Sequence, residues 1–131
     1  MKRLRVLLAA SEAWPLIKTG GLGDVVGALP IALREQGIDA RLVLPGYPAV
    51  LAALTGSRPV AQSALYGGDI TLLRGDLATG AGRKLPVYAV ATAAFDRPGD
   101  PYHAPGGADW PDNPPRFALF CRTAAALALG H

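Results

Sequence analysis

Lys18, Gly20 and Gly21 precede a stretch that reads as the start of a helix, with Asp24 in its first turn; the segment runs KTGGLGDV. A lysine beside paired glycines at a helix start suits the binding of a phosphate. The free amides and the positive dipole end of a helix attract an anion. Gly20 and Gly21 let the backbone approach a ligand without a Cβ in the way. Lys18 adds a mobile cation, whose hydrogen bond to a phosphate oxygen is worth roughly 1.5–3 kcal/mol. Asp24 either touches the ligand or favours the helix dipole. On these residues alone a tight strand-to-helix turn with a surface lysine remains an equal reading.

Familiar nucleotide fingerprints do not fit. A Walker loop sets its lysine after the glycines, whereas Lys18 comes before them. If Gly21-x-Gly23 opened a dinucleotide fingerprint, Val26 would occupy the place of the third glycine. The following strand ends in LVLPGYP, with no acid to hold a ribose, which speaks against a nicotinamide cofactor. Two histidines and one cysteine make a poor zinc set, and no Ser-His-Asp arrangement can be assigned. No cofactor and no metal are expected.

The elements that must position these residues are legible in outline. Leu4–Ala10 is a continuous apolar run, as expected of a strand buried on both faces of a parallel sheet. Leu22, Val25, Val26, Leu29 and Leu33 fall at helical spacing, Pro30 predicts a kink, and Gly37 a stop. Arg41–Leu44 is a second strand, completing a βαβ unit whose crossover should be right-handed. A short helix over Tyr47–Leu54 precedes a predicted hairpin, Val60–Tyr66 with Asp69–Arg74, about Gly67-Gly68. ATGAGRK turns the chain into another strand, Leu85–Ala91. The proline- and glycine-rich stretch from Phe95 to Pro115 reads as a long loop, and loops of that length in compact domains are usually functional. A last helix starts near Asn113 as N-cap, with Pro114 at its first position. Its predicted inner stripe is Phe117, Phe120, Cys121, Ala124, Leu127 and Ala128, which makes Cys121 a small core residue. Trp14 and Trp110 read as packing residues beneath their loops.

The chain has 131 residues, half of them hydrophobic and 18% charged, with sixteen glycines and twelve prolines. That is one domain with many turns and a real core. A net charge of +3 suits an anionic ligand, but the basic residues are scattered, so nucleic acid is not expected as a partner. The basic start could pass for an export signal. Arg5, however, leaves only Val6–Ala10 as an apolar run, short of the ~7–15 residues export needs. No run approaches the ~18 apolar residues of a membrane span, so no membrane partner is expected. One cysteine, Cys121, forms no internal disulfide and fits a reducing compartment. The expected location is the cytoplasm.

Four blocks in order, SEAWPLIKTGGLGDVVGALP, RLVLPGYP, FDRPGDPYH and DWPDNPPRFALF, resemble the N-terminal domain of bacterial glycogen synthases and plant starch synthases, glycosyltransferase family 5. The match runs along nearly the whole chain and is weakest between Leu51 and Arg83. It implies a GT-B enzyme with two Rossmann-like domains across a cleft, which transfers glucose from ADP-glucose to the non-reducing end of an α-1,4-glucan with retention. It also implies that Lys18 reaches the donor phosphates, that Gly20 and Gly21 line the same site, and that Asp24 is a candidate donor contact. Glu12 becomes a candidate for the glucan side of the cleft, and Tyr102 and His103 border it. Asp109, Asp112 and Arg116 are expected to organise the long loop and cap the last helix.

On this resemblance, residues 1–131 correspond to a Rossmann-like N-terminal domain that is incomplete at its C-terminal end. The family's histidine-rich motif, its donor-binding C-terminal domain, and the arginine, lysine and glutamate that complete catalysis there have no counterpart in these residues. The segment alone is therefore expected to be inactive, with no catalytic residue of its own. Two other readings stand beside this one: a non-catalytic glucan- or phosphate-binding module, and an oxidoreductase domain that the missing third glycine and ribose acid disfavour.

Overall fold

The computed structural model describes residues 2–64 and 69–130. Strand β1 (Arg5–Ala9) passes through helix α1 (Gly21–Glu35) to β2 (Asp39–Pro45). A short helix α2 (Pro48–Ala53) leads to β3 (Thr55–Ser63), β4 (Ile70–Gly80) and β5 (Arg83–Ala91), and α3 (Asn113–Ala128) follows the long loop. The sheet order is β1-β2-β5-β4-β3. β1, β2 and β5 are joined in parallel, while β4 runs antiparallel to both β5 and β3. Four strands therefore share one direction and β4 opposes them, the α/β arrangement with a mostly parallel sheet that the sequence predicts.

The hairpin reading holds in the pairing of Ser63 with Ile70, although β3 starts earlier than predicted, at Thr55, and ends at Ser63, while β4 runs on to Gly80. Tyr66 and the Gly67-Gly68 turn lie outside the described residues. β3 is exposed along nearly its whole length and carries register shifts on either side of Pro59, as a proline on an edge strand requires. The predicted turn before β5 is built from Gly80, Ala81 and Gly82, all at positive φ.

The core lies under β2 and β5, where Leu42, Val43, Leu44, Val87, Ala89 and Val90 are fully buried. β1, expected to be buried on both faces, is instead the edge strand and only partly covered. An apolar run does not distinguish a central strand from an edge. The parallel strands end together at Ala9, Pro45 and Ala91, so the three loops that follow them gather at one end of the sheet.

Helix α1 is rotated from its predicted orientation. Its buried residues are Gly23, Val26, Gly27 and Pro30, and Leu22, Val25 and Leu29 face outward. The cause is a close backbone contact. A Cβ at Gly27 would stand 2.2 Å from the Trp14 carbonyl oxygen, and the Trp14 amide donates to the Gly23 carbonyl at 2.9 Å. The helix meets its loop through missing side chains, which a pattern of apolar residues does not register. Trp14 lends only its backbone to this contact, and its side chain is 58% exposed rather than packed beneath the loop. Pro30 is buried inside a helix that continues past it to Glu35.

On α3 the inner face is Arg116, Phe120 and Ala124, with Phe117 and Leu127 half-buried; Cys121 and Ala128 are exposed, against expectation. Cys121 sits one residue, or ~100°, round the helix from Phe120, and that rotation carries it out of the core.

Gly27→Ala tests the helix–loop contact. Alanine gains about 1 kcal/mol of helix propensity over glycine, but the clash is with backbone and has no soft side chain to absorb it. Overpacking of this kind costs about 1–3 kcal/mol, so a drop in Tm of several degrees is expected in a thermal melt. An unchanged or raised Tm would show that the loop yields freely.

Candidate functional site

Glu12 is fully interior, 1% exposed, and its carboxylate is enclosed by donors. Oε1 accepts the Gly23 amide at 2.9 Å and the Gly20 amide at 3.2 Å. Oε2 accepts the Thr19 hydroxyl at 2.5 Å and the Tyr102 hydroxyl at 2.9 Å. Burial pushes the Glu12 carboxyl up, and these four hydrogen bonds together outweigh it and hold the group below the ordinary carboxylate range. An ionised carboxylate only accepts, so Tyr102 commits its one proton to Glu12. Ser11 must then donate to the Tyr102 oxygen, 2.6 Å away. Burial, helped by the neighbouring Glu12 charge, raises the Tyr102 phenol.

Glu12 was expected on the glucan side. It lies against Tyr102, and both of its oxygens are enclosed by protein donors, which leaves neither open for direct contact with a ligand. The glycine loop is the other arm of the same carboxylate. Gly20 is the N-cap of α1 in an extended conformation; it has no side chain to cap the helix, and Glu12 accepts the amides in its place. A Cβ at Gly20 or Gly21 would meet nothing within 4 Å, so both present open backbone. Lys18 Nζ pairs with Asp24 Oδ1 at 2.9 Å, both side chains substantially exposed. Such a pair is worth little in water, so Asp24 holds the ammonium at the loop mouth without locking it there.

Tyr102 is fixed from several directions. Its amide donates to Asp100 Oδ1 at 2.7 Å, and its carbonyl accepts Asn113 Nδ2 at 2.9 Å and the Trp110 amide at 3.2 Å. Its ring lies 5.9 Å from that of Phe117. An open hollow of about 370 Å³ beside it is lined by Ser11, Tyr102, Asn113, Pro114 and Phe117. His103 bridges two acids, Nδ1 at 3.0 Å from Asp100 and Nε2 at 3.2 Å from Asp109 Oδ1. Hydrogen bonds from the Tyr102 and His103 amides, with the His103 ring beside them, keep the Asp100 carboxyl low despite partial burial.

Arginines hold the long loop in place. Arg97 makes a two-pronged pair with Asp112, 2.6 Å at each oxygen, and its guanidinium lies 4.8 Å from the Trp110 ring centre. Buried Arg116 donates to the Pro101 carbonyl at 2.5 Å and to Asn113 Oδ1 at 2.8 and 2.9 Å, and it lies over the Phe95 and Phe117 rings. Sequence reasoning missed Arg97, Ser11 and Thr19; only the crowding of charges with proline and tryptophan in the loop hints at the first. Asp112 takes the N-cap position of α3 but gives its carboxylate to Arg97, and Asn113, predicted as the cap, turns to Arg116. Asp109 serves His103.

A cavity of about 500 Å³ between Arg34, Thr79, Lys84 and their neighbours is at the opposite end of the sheet from these groups. Ligands of open α/β sheets gather at the carboxyl ends of strands, and the glycine loop and Tyr102 meet there. Among the described residues no cluster of histidine, cysteine or acids could hold a metal, and no helix is long and apolar enough to cross a membrane.

Residues 5–131 match the family model for the starch synthase catalytic domain. The chain is 51% identical over 126 residues to a glycogen synthase of Paracoccus denitrificans, covering 95% of this chain and 26% of that protein. It is 50% identical over 134 residues to a glycogen synthase of Rhodopseudomonas palustris, covering 99% and 26%. Among solved structures, the catalytic domain of starch synthase IV from Arabidopsis thaliana, bound to ADP and acarbose, superposes with a TM-score of 0.75 at 27% identity, covering 98% of this chain and 26% of that one. The chain thus spans about a quarter of the length of these relatives. An α/β fold shared with that catalytic domain, a glycine loop at the sheet's carboxyl end and a match along nearly every residue agree: the chain belongs to the starch synthase catalytic domain family.

Proposed function

We propose that these residues belong to the Rossmann-like N-terminal domain of a cytoplasmic glycogen synthase, which transfers glucose from ADP-glucose to the non-reducing end of an α-1,4-glucan with retention. The observation that carries the reading is the placement of Lys18. Its ammonium stands at the first turn of α1, paired with exposed Asp24, on the loop that carries the open backbone of Gly20 and Gly21. The ADP and acarbose in the Arabidopsis structure are a nucleoside diphosphate and a glucan-like saccharide, the two ligand classes this geometry suits.

In this reading Lys18 exchanges Asp24 for a donor phosphate. As the bond from glucose to the diphosphate breaks, negative charge grows on the departing oxygens, and a fixed cation beside backbone amides stabilises it most at that moment. Asp24 keeps Lys18 near the mouth until the donor arrives. Tyr102 offers a ring face to a sugar in the adjoining hollow, with His103 beside it and Glu12 behind it. The free Cys121 thiol suits a reducing cytoplasm.

Lys18→Ala in the full-length enzyme is expected to lower kcat/KM for ADP-glucose by about 10- to 150-fold, the worth of a hydrogen bond to a charged group. Steady-state kinetics at saturating glucan is the measurement, and an unchanged value would remove Lys18 from the donor site. Gly21→Ala is expected to damage activity while Tm stays within a few degrees, because the added methyl meets no protein atom and a tolerated glycine replacement shifts stability by only ~0.4–1 kcal/mol. Equal loss of folding and activity would make that glycine structural. The 131 residues alone supply one donor-facing cation, so no glucosyl transfer is expected from them in a radiolabel assay. Measurable glucan extension would show that this segment can act without a second domain.

A further inference from the structure

Glu12 joins two loops about 80 residues apart in sequence, as its bonds to Tyr102 on one side and to Thr19, Gly20 and Gly23 on the other show. A buried carboxylate has strict needs. Each donor it loses leaves charge uncompensated in an interior that cannot supply water in its place. Its two oxygens are one rigid group, so a displacement at one is felt at the other. Oε1 holds the amides at the start of α1, and Oε2 holds the tyrosine hydroxyl of the long loop. We infer that Glu12 is a positioning residue that makes the backbone geometry at Gly20–Gly23 depend on the seating of Tyr102, so that the saccharide side and the phosphate side of the site sense one another through this carboxylate.

The surroundings make this route specific. The Tyr102 hydroxyl has two partners, Ser11 and Glu12, and only Glu12 continues to the glycine loop. Lys18 is tied to the same point: a Cβ on Gly23 would stand 3.0 Å from Lys18 Cγ and 3.2 Å from Glu12 Oε1. Only a glycine at this position leaves room for both the lysine stem and the carboxylate. A sugar that seats Tyr102 would tighten the grip on the donor phosphate, and by linkage the phosphate would tighten the grip on the sugar to the same degree.

The inference rests on the reading of Lys18–Gly21 as the phosphate-facing segment, and its test separates the two. Hydrogen exchange of the full-length protein is followed by mass spectrometry in the peptide spanning Thr19–Asp24. Tyr102→Phe is expected to raise exchange there about tenfold, although it deletes an atom from a distant loop. In a Glu12→Gln background the same change should add nothing. In kinetics, Tyr102→Phe and Glu12→Gln are each expected to raise the KM for ADP-glucose about tenfold at saturating glucan, with the double variant no worse than Glu12→Gln alone. Multiplying effects would mean that the two residues act independently, and would overturn the coupling. If Glu12→Gln fails to fold, Tyr102→Phe alone decides the matter, since unchanged exchange at Thr19–Asp24 also overturns it. Should Lys18→Ala leave kcat/KM intact while the exchange coupling persists, the donor assignment fails and the coupling stands.

Discussion

A negative charge buried at the amino end of a helix is favourable only when enough donors surround it. At Glu12 two backbone amides and two hydroxyls meet that condition. Removing the ion from water costs several kcal/mol before any bond forms, and the helix dipole offsets part of that at the start of α1. The balance leaves the group ionised below the usual carboxylate range. Most of the site depends on this. Without the carboxylate, the amides of Gly20 and Gly23 would lack an internal acceptor and the Tyr102 hydroxyl would lose its charged one. The glycine loop owes its shape to an anion on its inner side, and Lys18 with Asp24 stays exposed to solvent.

The loop of residues 92–112 shows how a segment without regular structure can be held firmly. Phe95 is fully buried, edge-on to Tyr47 at 5.7 Å and to Phe120 at 6.5 Å, and fixes one end. Arg116 stitches the Ala94 and Pro101 carbonyls to the first turn of α3, and Arg97 clamps Asp112 at the far end. Burial lowers the Arg116 guanidinium from its usual value, as expected for a buried cation whose partners are carbonyls, an amide oxygen and two aromatic faces in place of a carboxylate. Loop entropy is overcome by a few polar bonds to backbone, each fixing several residues at once.

Much of this was legible in the residues. Strand, glycine loop, helix and strand follow from an apolar run, a break and a 3.6-residue period. Legibility failed where the physics is carried by something other than side-chain polarity. The buried face of α1 is made by the small size of Gly23 and Gly27, so counting apolar residues chose the wrong side. β1 and β2 are equally apolar, and only pairing order separates edge from centre. β3 was read too short because Arg58, Pro59 and Gln62 break any alternation, as an exposed edge permits. Glu12 was placed beside Tyr102, but its enclosure could not be read, because donors at Thr19 and Gly23 and one at Tyr102 belong to distant parts of the sequence.

The two halves of the sheet differ in how they can come together. Leu77 faces Leu85 across a tight turn, whereas Leu8 must find Leu42, and Leu42 must find Val87, after whole elements have intervened. Short loops close at little entropic cost and long ones at more, so local pairings tend to form before distant ones. The antiparallel half is therefore expected to organise first and to act as a template on which β2 and then β1 are laid. Glu12 and its donors lie beyond the end of β1 and can meet only after that last strand has docked. The folding order thus makes the site the final part of the molecule to be assembled.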